Sequence, residues 1–97
     1  MGVRTRGSAG GAQFALAVSS SAVTLTVPSG ANVAQVYVRG ASITYTTDGT
    51  APTATKGIQA DPGDTIMLDS AAEVAACKMI RVSSDATVDV EFFTDAR

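Results

Sequence analysis

From residue 13 onward, apolar side chains recur at every second position. Phe14, Leu16 and Val18 alternate with Ala and Ser, and Val23, Leu25 and Val27 alternate with Thr. Ala34, Val36 and Val38 alternate with Gln35, Tyr37 and Arg39. Ile43 and Tyr45, Ile66 and Leu68, Ile80 and Val82, and then Val88, Val90 and Phe92 continue the pattern. A period of two is the signature of half-buried strands with one apolar and one polar face. The runs are broken by Pro28-Ser29-Gly30, Gly40, Asp48-Gly49, Asp61-Pro62-Gly63-Asp64 and Ser83-Ser84-Asp85, which are turn formers. Seven or eight short strands with frequent turns predict an all-β fold, a β-sandwich or a small barrel. Only residues 70–76, SAAEVAA, have the look of a helical turn, with Ser70 and Glu73 spaced as a capping box.

The first twelve residues, MGVRTRGSAGGA, stand apart. Four of them are Gly and no apolar period is present, so residues 1–12 are expected to be a flexible N-terminal arm and 13–97 the sandwich domain. Arg4 and Arg6, with Val3, are the arm's candidate docking residues. No apolar run follows Arg6 to make a signal-peptide core, and no stretch nears the ~20 apolar residues of a membrane span. The expectation is a chain made and folded in a reducing cytoplasm, with no membrane partner.

Composition closes off most chemistry. There is no His, no Trp and a single Cys among 97 residues. Cys77 has no intrachain partner, and its setting in Val74-Ala75-Ala76-Cys77 is that of a small buried hydrophobe. The nine serines lack both a His base and a Gly-x-Ser-x-Gly elbow. Asp61, Asp64 and Asp69 form the densest carboxylate group, but they sit at turns, where Asp serves the backbone, and their spacing fits no calcium loop. The chain is therefore expected not to be an enzyme and to use no cofactor, metal or small-molecule substrate. A net charge of −2 argues against binding nucleic acid through overall charge. The charge is polarised: residues 1–47 hold Arg4, Arg6 and Arg39 and no acid, while all nine acids lie in 48–97. Such asymmetry can orient identical subunits or seat one end on an acidic surface.

Of the five aromatics, Phe14, Tyr45 and Phe92 fall on the apolar faces and are expected in the core. Tyr37 and Phe93 lie on the opposite faces. They are candidate contacts at a protein interface, unless a second sheet covers them.

The most distinctive stretch is Ile43-Thr44-Tyr45-Thr46-Thr47-Asp48-Gly49-Thr50-Ala51-Pro52-Thr53. Asp48 can accept from backbone amides two residues on, Gly49 supplies a positive φ, and Pro52 keeps the ladder from resuming. Tyr45, Thr46, Asp48, Gly49, Thr50, Pro52 and Thr53 resemble the Tyr-Thr-x-Asp-Gly-(Ser/Thr)-x-Pro-Thr signature of the small immunoglobulin-like domain at the C-terminus of chitobiases. That resemblance implies an immunoglobulin-like β-sandwich of seven or eight short antiparallel strands, and a structural role for Asp48, Gly49 and Pro52.

The wider layout is similar to small virion proteins of tailed bacteriophages. The arm, Tyr45 to Thr53, the turn from Pro62 into Leu68, and the pair Ile80–Val82 and Val88–Phe92 match that pattern. The resemblance implies a capsid decoration (cement) protein on the outer capsid surface of a virion. It would bind the major capsid protein, bridge capsid subunits and assemble with copies of itself as a dimer or trimer. Two alternatives stand beside it: an immunoglobulin-like adhesion or carbohydrate-binding module, and a small head-to-tail or tail component.

Overall fold

The computed structural model describes residues 8–94. Eight strands and one short helix follow the order β1 (Ser8–Val18), β2 (Val23–Thr24), β3 (Val33–Arg39), β4 (Ile43–Thr46), β5 (Ile58–Ala60), β6 (Thr65–Leu68), α1 (Ala71–Ala76), β7 (Lys78–Arg81) and β8 (Ala86–Thr94). They form two four-stranded antiparallel sheets, β1-β8-β3-β6 and β2-β7-β4-β5. The chain is thus an all-β sandwich of eight strands.

The strand order carries more information than the count. β1 pairs with β8, β2 with β7, β3 with β6 and β4 with β5. The backbone is one long hairpin with its tip between β4 and β5, rolled up so that successive pairs fall in alternate sheets. This is the order of an eight-stranded, double-sheet jelly roll. The likeness to immunoglobulin domains therefore holds for two packed antiparallel sheets. It stops at connectivity, because the immunoglobulin order places its first two strands side by side in one sheet.

The core lies between the sheets. β3 contributes Ala34, Val36 and Val38, β8 contributes Val88, Val90 and Phe92, β6 contributes Ile66 and Leu68, and the facing sheet supplies Ile43 and Met79. Registers such as Ala34 opposite Phe92 and Val36 opposite Val90 keep the apolar set on one face across strands. In β7 the inward residue is Met79, fully buried, and Ile80 is only partly covered on the other side. The alternation through Ile80 and Val82 thus runs one position out of step with the fold, because Met79 pairs with Tyr45 on the core face.

Local chemistry sets the connections. Ser70 caps α1 by accepting from the Glu73 amide at 3.2 Å, and Glu73 Oε1 accepts from the Asp69 amide at 3.0 Å. The reciprocal bond thus lands one residue ahead of the usual capping box. Val74 and Cys77 anchor this connection in the core. At the hairpin tip, residues 47–57 fold back over the outer face of β4. Thr44, 2% exposed, donates from its hydroxyl to Ala54 O at 3.3 Å.

The domain boundary set at residue 12 falls inside a strand. Ser8–Val18 pairs along β8, with Ser8 opposite Thr94 and Ala12 opposite Glu91. The Gly-rich composition of residues 8–12 does not prevent pairing, because Gly11, with φ 118°, takes up a register shift between Ala9 and Gly11. Val3, Arg4 and Arg6 lie outside the described residues.

Candidate docking face

The outer face of the β1-β8-β3-β6 sheet gathers the features that the packed core does not use. Its organising element is a bulge in β1. Gln13 pairs with Val90 and Leu16 with Val88, so Phe14 and Ala15 together oppose the single residue Asp89. Ala15 has φ 55°, the one positive φ at a non-glycine among the described residues. A left-handed alanine costs roughly 1–2 kcal/mol, so surrounding contacts must hold it. Asp89 supplies them. Its Oδ1 accepts from the Ala15 amide at 2.8 Å, and its Oδ2 pairs with Arg39 Nε at 3.0 Å.

The extra residue reverses the facing of Gln13 and Phe14 relative to an unbroken alternation. Gln13 turns toward the sandwich edge, where Oε1 accepts from the Thr26 amide at 3.1 Å and Nε2 donates to Thr26 Oγ1 at 3.4 Å. Phe14 turns outward and is 68% exposed. Its expected place in the core is corrected accordingly. The expectation for Tyr45 and Phe92 stands: Phe92 is buried, and Tyr45 is half-buried against the core.

Phe93, a candidate exposed contact, is 8% exposed and sits opposite the buried Val33. Its place in the sheet leaves little surface for a partner. Tyr37 is half-buried on the outer face, its hydroxyl 2.6 Å from Gln35 Oε1 and 3.1 Å from Glu91 Oε1. Gln35 Nε2 in turn donates to Met67 Sδ at 3.2 Å. A polar chain therefore crosses the middle of the face.

Beside Tyr37 the face opens into a cleft of about 470 Å³, walled by Tyr37, Arg39, Gly40, Pro62, Gly63 and Asp64. Its floor is rigid, because the Val38 amide donates to Asp64 O and the Gly63 amide to Val38 O, at 3.0 and 2.9 Å. Arg39 is well exposed, and its Nε pairs with Asp89.

The tip motif uses its polar atoms internally. Asp48 Oδ1 accepts from the Thr50 amide at 3.0 Å, which holds its carboxyl below the usual range. Gly49 has φ 86°, Pro52 is buried, and Thr46 Oγ1 donates to Thr50 O. A smaller pocket of about 240 Å³ between Tyr45, Asp48, Gly57 and Ile58 lies on this opposite sheet. Burial pushes the Tyr45 hydroxyl pKa up.

The acidic group resolves into turn contacts. Asp61 accepts from Ser42 Oγ at 2.7 Å and Gln59 Nε2 at 3.0 Å, which lowers its pKa, and Asp64 Oδ2 accepts from the Asp61 amide at 2.8 Å. Among the described residues no three His, Cys, Asp or Glu side chains gather as a metal site. Burial, aided by Glu73, pushes the Cys77 thiol up to about 11.

Sequence reading alone placed neither Phe14 nor Asp89 nor the cleft. A glycine at position 15 would have marked the bulge, and alanine gives no such signal. Comparison of the chain with protein-family models, curated proteins and solved structures finds no match.

Proposed function

We propose that this chain is a structural virion protein, a capsid decoration (cement) protein that sits on the outer surface of a shell and bridges its subunits. The observation that carries the reading is the jelly-roll strand order, an architecture that viral capsid proteins share with lectins and cupins. The support is by architectural analogy. The virion-like sequence pieces add to it, since they fall on successive parts of one rolled hairpin: the tip, the turn into β6, and β7 with β8.

In this role no chemistry is asked of the protein. Each contact with a capsid subunit is weak, and holding two subunits at once raises the effective concentration of the second contact. A binder of the assembled shell stabilises it by mass action. Val3, Arg4 and Arg6 are the residues assigned to the shell.

The test is co-sedimentation of the full chain with purified tailed-phage heads, against a variant lacking residues 2–7, which spares β1. Binding by the full chain and weaker binding by the variant support the reading. Failure of the full chain to sediment with any shell overturns it. Binding to a glycan array instead would favour the adhesion or carbohydrate module.

A further inference from the structure

The outer face of the β1-β8-β3-β6 sheet carries a projecting ring and an open cleft. Phe14 projects from β1, held outward by a bulge that is clamped by Asp89. The cleft beside Tyr37, Arg39 and Pro62 lies on the same face toward β6. Asp89 stands opposite both Phe14–Ala15 and Tyr37, so ring and cleft are two strands apart, roughly 10 Å at the usual spacing.

We propose that two copies of this chain pair through this face, each Phe14 entering the other's cleft. A two-fold axis lying between the faces, midway between ring and cleft, exchanges the two features. Such an interface is isologous, and it requires both halves on one surface, as here. The cleft volume of about 470 Å³ exceeds that of a phenyl ring and leaves room for it to settle between Tyr37 and Pro62.

Charge follows the same symmetry. Arg39 uses Nε on its own Asp89, and among the described residues its two terminal amino groups have no ion-pair partner. The operation that seats Phe14 carries each Arg39 to the neighbourhood of the other copy's Phe14 and Asp89. The guanidinium then meets a ring face, and two arginines alternate with two aspartates around the axis. The outer face supplies the aromatic anchor, its pocket and complementary charge, so a second copy is the occupant that the face itself specifies.

This pairing goes beyond the shell-binding reading and is independent of it. A dimer without affinity for shells would overturn only the decoration role, and a monomer that binds shells would overturn only the pairing. The experiment is sedimentation velocity of the full chain over about 1–100 μM. The expected result is a concentration-dependent rise from the 9.8 kDa chain toward twice that mass. Phe14→Ala, at an exposed position that leaves the core intact, should weaken association by about tenfold or more, and Arg39→Gln by roughly three- to tenfold. Ile58→Ala, exposed on the other sheet, should leave it unchanged. A chain that stays monomeric throughout, a trimer, or a Phe14→Ala variant that pairs as well as the parent would overturn the proposal.

Discussion

Two glycines in the β4–β5 tip allow a controlled measurement of how tightly it packs. Gly49 has φ 86° and Gly57 has φ 127°. A Cβ on Gly49 would meet nothing within 4 Å, whereas on Gly57 it would lie 2.6 Å from Thr44 Cγ2 and 2.9 Å from Tyr45 O. Neither neighbour can yield easily, because Thr44 is buried and tied to Ala54 O and the Tyr45 carbonyl belongs to β4. Gly49→Ala costs the left-handed penalty of roughly 1–2 kcal/mol, offset by about 0.4–1 kcal/mol from a less flexible unfolded chain. The net loss is about 1 kcal/mol. Gly57→Ala occupies a region that only glycine favours, at about 1–3 kcal/mol, and adds overpacking of about 1–3 kcal/mol. A loss of about 3–5 kcal/mol is expected, a large part of the total of roughly 5–15 kcal/mol for such a domain. Urea unfolding followed by far-ultraviolet circular dichroism gives both values from the midpoints, provided the slopes agree. Losses equal within about 0.5 kcal/mol would mean that the tip does not rest on β4, and the steric reasoning would be refuted.

Asp89→Ala removes the carboxylate acceptor of the Ala15 amide and the partner of an exposed arginine, so it should cost about 1–2 kcal/mol, with the Ala15 amide exchanging faster by NMR. Cys77 should resist thiol reagents in the folded protein and label only on unfolding. Its folded pKa of about 11 lies above the ordinary 9.0, so stability is intact below pH 9 and falls as pH rises from 9 toward 11, by up to about 3 kcal/mol in alkaline melts. At the acid end the sign reverses: Asp48 and Asp61 have lowered pKa values, so their support is present above the ordinary 3.8 and lost as pH falls through their folded values. Asp48→Asn should therefore flatten the acid limb of a stability–pH curve, and an unchanged limb would remove Asp48 from that account.

Strand faces were legible wherever alternation ran unbroken, as in Ala34-Val36-Val38, Ile66-Leu68 and Val88-Val90-Phe92, because burial on one face fixes a period of two. Turns at Asp48-Gly49 and Pro62-Gly63 and the cap at Ser70 were legible because their chemistry is local. Partners were not. Alternation says which way a side chain faces and nothing about which strand lies beside it, so the pairing of β1 with β8 across the whole chain, and with it the jelly-roll order, had no sequence signal. Phe14 failed for another reason. A single inserted residue at the bulge inverts the facing of Phe14 and Gln13, and the left-handed residue there is Ala15 instead of a glycine.

That failure bears on where a function can reside. The tip motif is the part of the sequence with the clearest pattern, and its polar atoms are spent on its own backbone through Asp48, Thr46 and Thr44. A segment whose hydrogen-bonding capacity is consumed internally has little left to offer a partner, so strong local pattern here marks folding. The bulge is the converse. Local preference disfavours a left-handed alanine and an exposed phenylalanine, yet Asp89 and Arg39 hold both in place. Where a local rule is broken and the break is actively supported, the compensation is expected to lie in function. The tip and the bulge stand on opposite sheets, so a substitution such as Gly57→Ala and one such as Phe14→Ala address separate properties. The first acts on stability and the second on association.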